Sequence, residues 1–148
     1  MLALFYRPQV QDPDGAEGRE VGEEKRYLRA ARRSPHVAIL LAESEQGVVG
    51  RLSIARDPHT ASGHVADVGL MVALAERRHG IGTALMVAAE DWARGAGVTK
   101  LELHVFPHNQ AAIALYESMG YRREGYRTRH FRRGRELVDA ILMAKEVP

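Results

Sequence analysis

The sequence predicts an α/β fold in which helices pack on a mixed β-sheet. Short apolar or alternating segments typical of strands recur along the chain, and three segments with the apolar spacing of a helix interrupt them. Their order, β-α-β-β-β-α-β-α-β-β, favours a sheet that the intervening helices cover. At 148 residues the chain has the size of one domain with a proper core, so we expect a single domain over residues 1–148.

The first half of the chain is expected to hold four strands and one helix. A polar loop with Pro13 and Gly15 follows the opening strand. Pro35 ends the helical segment because proline cannot continue a helix. Residues 44–47, Ser-Glu-Gln-Gly, form a hairpin signal between two strands, and a loop covers 57–63. The expected elements are strands over 2–10, 37–43, 48–56 and 65–72 and a helix over 20–33.

The second half begins with an amphipathic helix that follows a glycine-containing turn. Its apolar residues recur at helical spacing, and the helix is expected to end near Gly95 and Gly97. The predicted buried face comprises Ile81, Ala84, Leu85, Ala88 and Trp92.

A strand, a second helix and a hairpin complete the prediction. In the strand over 98–106, apolar and polar side chains alternate between two faces. The apolar set is Leu101, Leu103 and Val105, and the polar set is Glu102 and His104. Asn109 suits the N-cap of the next helix, and Gly120 suits its C-terminal cap. The final hairpin, over 121–131 and 136–144, is expected to turn at Arg133-Gly134.

Composition excludes several functional classes. The apolar content of 45% and the charged content of 27% are ordinary for a globular chain. The chain has no cysteine, which excludes disulfides and thiolate metal sites and is compatible with a cytoplasmic location. No apolar run approaches the roughly 18 residues of a membrane span, and no signal peptide pattern is present. The spacing of His64, His79 and His108 does not suggest a metal site.

Positive charge is concentrated near the C-terminus, although the net charge is only +2. Between Arg122 and Arg135 there are seven arginines and His130 against one acid, Glu124. This basic hairpin is interpreted as a solvated cationic face, as a site for acidic ligand groups, or as a nucleic-acid contact.

The turn between the strand over 65–72 and the following helix indicates an anion site. Free backbone N–H groups at a helix N-terminus, together with the helix macrodipole, favour negative charge. Gly80 and Gly82 lack Cβ atoms, so a phosphate could approach the backbone closely; an ordinary tight turn is the alternative. A dinucleotide fingerprint fits poorly, because Leu85 stands where a third glycine is needed.

These residues resemble a known family. Arg77-x-x-Gly80-x-Gly82 after a strand resembles the acetyl-CoA signature, Arg/Gln-x-x-Gly-x-Gly/Ala, of the GCN5-related N-acetyltransferases (GNAT). The stretch 101–109, followed by Ala112, Leu115-Tyr116 and Gly120-Tyr121, looks like the second half of that family's core, and Glu136-x-x-Asp139-x-x-x-Met143 is similar to its last strand. The resemblance implies the GNAT fold: a mixed, mostly antiparallel sheet of about six or seven strands with a central splay, flanked by three or four helices, with the cofactor core at about 63–120.

The resemblance also implies how acetyl-CoA is held. The pyrophosphate would lie on the N–H groups of residues 78–83, the pantetheine arm would pair with 70–72, and Asn109 would hydrogen-bond the arm or serve only as a helix cap. No metal is implied. The expected cofactor-binding residues are Leu70, Met71, Val72, Arg77, Arg78, His79, Gly80, Ile81, Gly82, Thr83 and Asn109.

The implied reaction is transfer of an acetyl group from acetyl-CoA to a primary amine by direct attack on the thioester. Tyr116 aligns with the family's tyrosine acid, with a core position as the alternative. Asp67, His104 and Glu102 are the candidates for the base that removes the proton of the amine. The expected acceptor is a small amine, an amino acid or a peptide N-terminus, and a homodimer is compatible with the exposed last strand. The alternatives are a catalytically inactive acyl-CoA-binding regulatory module and a nucleic-acid binder that uses the basic hairpin.

Overall fold

The computed structural model of the chain describes residues 3–7, 35–45, 47–73 and 80–148. Within 3–7 it describes the backbone path and pairing. The expected helix over 20–33 lies outside the described residues, as do the ends of the expected strand over 2–10.

The described residues form seven strands and two α-helices, and a short 3-10 turn, Thr60–Ser62, lies in the predicted loop. Most predicted elements are confirmed, with boundaries that differ by two residues or fewer. In order, the elements are β1 (Ala3–Arg7), β2 (Val37–Ser44), β3 (Gly47–Arg56), β4 (Val65–Val72), α1 (Ile81–Gly95), β5 (Lys100–Val105), α2 (Gln110–Ser118), β6 (Arg122–Arg133) and β7 (Glu136–Glu146).

The seven strands form one sheet in the order β1-β2-β3-β4-β5-β7-β6. Every neighbouring pair is antiparallel except β4 and β5, which are parallel. The parallel pair is short: it begins at Val65 with Lys100 and ends at Asp67 with Glu102. β4 continues to Val72 along β3, so β4 and β5 part in the middle of the sheet. The expected mixed sheet with a central splay is confirmed.

The hydrophobic core lies between the sheet and α1. Alternation along β5 is as predicted, with the apolar set buried and the polar set on the other face. The buried face of α1 is rotated from the prediction, because Ala84, Ala88 and Trp92 are only partly buried. The buried residues of α1 are Ile81, Leu85, Met86, Ala89, Glu90 and Ala93. Because Glu90 is polar, the sequence did not indicate that its face of α1 is buried.

Glu90 is buried because it has an ion-pair partner on the sheet. The Nζ atom of Lys145, on β7, donates to Glu90 Oε1 at 2.7 Å, and Arg94 lies 3.6 Å from the other carboxylate oxygen. A buried carboxylate without a partner would be costly. The Glu90–Lys145 pair therefore joins α1 to β7.

The final hairpin is longer than predicted. β6 extends to Arg133, which pairs with Glu136, so the turn is at Gly134-Arg135 rather than at Arg133-Gly134. Of the twelve residues of β6, only Phe131 is partly buried.

Candidate active site

The parting of β4 and β5 opens a cleft in the sheet. β3 pairs with β4 as far as Val72, but β5 pairs with it only as far as Asp67. The edge of β4 that carries Leu70 and Met71 therefore has no β5 residue opposite it. A main-chain amide of a ligand can pair with such an edge. That residues 70–72 hold the pantetheine arm stays a prediction.

The N-terminus of α1 lies beside this edge of β4. Gly80 occupies the N-cap in the left-handed conformation, with φ +78°, and it has no side chain with which to cap the helix. The N–H groups of Ile81, Gly82 and Thr83 have no acceptor within the helix, and the first turn has no acidic residue. These groups could bind an anion. Arg77, Arg78 and His79, the cationic part of the expected site, lie outside the described residues.

Gly82 has a packing role that the sequence did not reveal. A Cβ atom at this position would lie 3.1 Å from Leu115 Cδ2 and 3.5 Å from Leu70 Cδ2. The missing side chain therefore lets the first turn of α1 approach both α2 and β4. The sequence predicted that Gly82 lets a phosphate approach the backbone. The contacts show that it also lets α1 pack closely on α2 and β4.

Asn109 caps α2, as predicted. Its side-chain oxygen accepts a hydrogen bond from the backbone N–H of Ala112 at 3.2 Å. The side chain is exposed, and its amide N–H groups remain able to donate. The cap is confirmed, and the contact with the cofactor arm stays a prediction.

Two of the three candidate bases lie next to each other at the fork of the cleft. Asp67 and Glu102 are the last paired residues of β4 and β5, and His104 follows on the same face of β5. His104 Nδ1 lies 3.6 Å from Asp67 Oδ1, which is ion-pair distance. The Asp67–His104 pair brings together residues that the sequence offered only as alternatives. Glu102 is partly buried on the same face.

The pair leaves one imidazole nitrogen without a hydrogen-bond partner among the described residues. Asp67 Oδ1 and His104 Nε2 are both buried, and neither has a hydrogen-bond partner in the described part of the chain. A carboxylate on the Nδ1 side favours the tautomer with hydrogen on Nδ1, which leaves the Nε2 lone pair to accept a proton. Such an arrangement suits a general base.

Aromatic rings from β6 enclose His104. His130 stacks on it with ring centroids 5.4 Å apart, and Phe131 meets it edge-on at 5.7 Å. Phe131 also contacts the ring of Phe106 at 5.9 Å. From the sequence, His130 was predicted only as one of the basic residues of the hairpin, and Phe131 had no predicted role. A change of register in β6 places them here, and no sequence pattern signals it.

Tyr116 lies on the buried side of α2. It is 6% exposed, and its ring centroid is 6.0 Å from that of Tyr121. Burial raises the pKa of Tyr116 to about 12, so the hydroxyl stays protonated at neutral pH. In the described residues no hydrogen bond joins it to Asp67 or His104. Tyr116 therefore occupies a core position, and its hydroxyl is also protonated, as a general acid requires.

The arginines of the basic hairpin are exposed. Arg123 lies 3.4 Å from Glu117, and the Arg133 guanidinium lies 5.3 Å from the centroid of the Phe106 ring. Arg133 therefore places positive charge next to the rings that enclose His104. Over the described ranges, no group of three or more His, Asp or Glu side chains could hold a metal ion, and no helix is long and apolar enough to cross a membrane.

Known proteins are similar to this chain in sequence and in fold. A sequence profile of the Acetyltransferase (GNAT) family matches residues 4–121. The L-amino acid N-acetyltransferase AaaT of Escherichia coli K12 is 34% identical over 115 residues, covering 75% of this chain and 69% of AaaT. The N-alpha-acetyltransferase RimI of Mycobacterium tuberculosis H37Rv is 37% identical over 99 residues, covering 67% of this chain and 61% of RimI, less than two thirds of that relative. The solved structure of yncA from Salmonella typhimurium with its cofactor acetyl-CoA is similar with a TM-score of 0.69 at 19% identity, covering 76% of this chain and 65% of that one.

The fold, with its splayed sheet and a helix N-terminus beside the cleft, matches that of a solved acetyltransferase with its cofactor acetyl-CoA. The chain belongs to the Acetyltransferase (GNAT) family. The predicted function of an acetyl-CoA-dependent N-acetyltransferase is thereby confirmed, as is acetyl-CoA as the cosubstrate.

Proposed function

We propose that the enzyme acetylates the α-amino group of an amino acid or of a peptide N-terminus, with His104 as the general base. The names of the two relatives specify an L-amino acid and N-alpha acetylation. The observation that carries the proposal is the Asp67–His104 pair at the fork of the cleft, with its unpartnered Nε2 atom.

An imidazole base suits an α-amino acceptor. The reference pKa values are about 8 for an α-amino group, about 10.4 for a lysine side chain and about 6.5 for an imidazole. Proton transfer to an imidazole is therefore uphill by about 2 kcal/mol from an α-ammonium group and by about 5 kcal/mol from a lysine ammonium group. The chemistry favours an α-amine over a lysine side chain by a large factor.

The residues around the cleft have distinct roles in the proposed reaction. His104 Nε2 accepts the proton of the amine, and Asp67 stabilises the imidazolium that results. Tyr116, which is protonated at neutral pH, donates a proton to the leaving thiolate. Acetyl-CoA supplies the activated acetyl group as a thioester.

The proposed cofactor contacts follow the open edge of β4 and the start of α1. Residues 70–72 hold the pantetheine arm, Asn109 donates to it, and the first N–H groups of α1 hold the pyrophosphate. Arg77, Arg78 and His79 would add positive charge there.

The location and assembly of the enzyme are further proposals. A chain without cysteine suits the cytoplasm. β6 is the last strand of the sheet and is exposed almost throughout, so a second copy could pair with it to form a homodimer. We also propose that one domain carries the whole activity.

Release of coenzyme A over a panel of amines tests the proposal. Because the chain contains no cysteine, a thiol-reactive dye reports only the released coenzyme A. The panel includes free amino acids, peptides with free or blocked N-termini, and lysine side-chain amines. Turnover is expected with α-amines and is expected to be lost when the N-terminus is blocked. Equal turnover with a lysine side chain in an N-terminally blocked peptide would contradict the acceptor assignment.

A pH series with His104→Gln tests the base. At neutral pH we expect a rate loss of roughly 10²-fold or more. The loss should shrink at high pH, where the amine is already neutral. His64→Gln is the matched control, since His64 is exposed and lies at the other end of β4. Equal loss at every pH would point to a structural effect and would remove His104 as the base.

The same assay separates the rival functions. Acetyl-CoA binding without turnover on any amine would indicate a regulatory acyl-CoA-binding module. Binding to nucleic acid that weakens steeply with salt would indicate the basic hairpin as a nucleic-acid contact. Neither outcome is expected.

A further inference from the structure

β6 contains a bulge opposite Asp139. Arg127 pairs with Ala140, and the next paired residue of β6, Phe131, is opposite Val138. Three residues of β6, 128–130, therefore face the single residue Asp139 of β7. We call residues 128–130 the β6 bulge. A bulge of this kind changes which face of the sheet the following side chains point to, whereas regular pairing does not.

The carboxylate of Asp139 is the group that holds the β6 bulge. Its Oδ1 atom accepts a hydrogen bond from the backbone N–H of Arg129 at 2.7 Å. Its Oδ2 atom accepts one from the hydroxyl of Tyr126 at 2.5 Å. These two bonds, that of Tyr126 foremost, hold the pKa of Asp139 below its ordinary value. Asp139 is partly buried, and its lowered pKa keeps the carboxylate charged at neutral pH, so both oxygens act as acceptors.

The backbone of the β6 bulge is unfavourable on its own. Arg129 has φ +53°, and it is the one non-glycine residue with positive φ in the described part of the chain. A residue with a Cβ atom adopts this left-handed conformation only at a cost in free energy. The hydrogen bond from its N–H to Asp139 compensates that cost, so the conformation depends on the carboxylate.

The β6 bulge explains how two consecutive residues reach the same imidazole. In a regular strand, neighbouring side chains point to opposite faces of the sheet. Here His130 stacks on His104 and Phe131 also contacts it, at 5.4 Å and 5.7 Å between ring centroids. The two rings also contact each other at 4.7 Å. Without the bulge, one of them would turn away from His104.

We propose that Asp139 is a positioning residue for the base: its carboxylate holds the β6 bulge and thereby fixes His104 between His130 and Phe131. The enclosed imidazole keeps Nδ1 towards Asp67 and Nε2 available. This inference rests on the proposed role of His104. It assigns to a partly buried carboxylate on β7, outside the cleft, a function in the proton transfer.

A double-mutant cycle between Asp139 and His104 tests the inference. We expect Asp139→Ala to lower kcat about 10-fold or more at neutral pH and to leave the KM for acetyl-CoA unchanged. In a His104→Gln background the same change should lower kcat less than about 2-fold, because the imidazole that Asp139 positions is absent. An equal loss in both backgrounds would mean that Asp139 supports the fold in general, and the inference would be wrong.

Three variants sharpen the cycle. Glu136→Gln removes a different carboxylate of β7 and should keep the wild-type kcat. Tyr126→Phe removes one of the two hydrogen bonds and should cost less than Asp139→Ala. Arg129→Gly relieves the left-handed strain and should restore part of the activity when added to Asp139→Ala. Failure of both expectations, with Tyr126→Phe as costly as Asp139→Ala and Arg129→Gly without effect, would contradict the role of the bulge.

A spectroscopic readout separates this inference from the base assignment. The ring protons of His130 and His104 should show a nuclear Overhauser contact in the wild-type protein that is lost in Asp139→Ala. If His104→Gln retains the full rate, the base assignment fails, and this contact alone then decides whether Asp139 positions the ring. Persistence of the contact in Asp139→Ala would overturn the inference whatever the kinetics show.

Discussion

At Gly50, on β3, a single methyl group would test how closely α1 lies on the sheet. A Cβ atom there would be 2.9 Å from Ile81 Cγ2 and 2.9 Å from Leu85 Cδ1. Carbon atoms in contact prefer about 3.5–4.0 Å, so each distance is too short by at least about 0.6 Å. Ile81 Cγ2 is attached directly to Cβ and moves only with χ1 or the helix backbone. Since both side chains are buried, we expect α1 to lift away from β3 in Gly50→Ala.

The cost of that displacement follows from the packing. An extra methyl group in a well-packed core destabilises a protein by about 1–3 kcal/mol. For a chain of this length, 1 kcal/mol corresponds to about 2–4 °C in Tm, so Tm should fall by roughly 2–12 °C. Ile81 is also the first residue of α1, where the pyrophosphate is proposed to bind. We therefore expect a several-fold higher KM for acetyl-CoA and little change in kcat at saturating acetyl-CoA.

Thermal melting and initial-rate kinetics measure the two effects. Gly95→Ala is the matched control on the same helix, because no atom lies within 4 Å of a Cβ atom built there. Alanine at this position should be neutral or stabilising by up to about 1 kcal/mol. A Gly50→Ala protein with the wild-type Tm and the wild-type KM for acetyl-CoA would refute the close packing of α1 on β3.

Three further predictions concern other parts of the molecule. Tyr116→Phe should lower kcat roughly 10²-fold with saturating amine, and an unchanged kcat would remove Tyr116 from the mechanism. Burial raises the pKa of Tyr116 from 10.0 to about 12, so the protonated hydroxyl contributes to the free energy of unfolding below pH 10, and this contribution is lost as the pH rises towards 12. Between pH 10 and pH 12 the free energy of unfolding should therefore fall less in Tyr116→Phe than in the wild-type protein, by up to about 3 kcal/mol in unfolding titrations. Glu90→Gln should destabilise by about 2–3 kcal/mol in denaturant titrations by leaving Lys145 unpaired, whereas Glu90→Leu combined with Lys145→Met should recover most of that loss. Arg133→Ala should raise the KM for an acidic acceptor peptide several-fold in kinetic assays, with a difference that shrinks in high salt; equal KM values would exclude an electrostatic role for this residue.

Much of the fold could be predicted because local chemistry determines it. The strand over 65–72 was predicted with its observed boundaries, and Asn109 and Gly120 cap α2 as expected. Alternation predicted which side chains of β5 are buried. In each case the signal lies within a few consecutive residues.

The enclosure of His104 could not be predicted, because it depends on contacts between distant residues. The side chains of β6 show no apolar alternation, since nearly all of them are exposed. No pattern therefore specifies the register, and the β6 bulge arises from hydrogen bonds between Asp139 and residues 10 and 13 positions earlier in the chain. Similarly, the sequence offered Asp67 and His104 as alternatives because it could not show that two separate strands bring them within 3.6 Å.

The one parallel strand pair explains why cofactor chemistry and proton transfer meet at the same edge of the sheet. Parallel strands have their carboxyl ends together, so the end of β4 and the end of β5 lie on one side. α1 begins at that side as well, because a Cβ atom at Gly82 would lie within 3.5 Å of Leu70 Cδ2 and 3.9 Å of Val72 Cγ2. The strands stay paired for three residues and then part, so the helix N-terminus, the open edge of β4 and His104 border one cleft. An antiparallel β5 would have carried His104 to the opposite end of β4, away from the anion site.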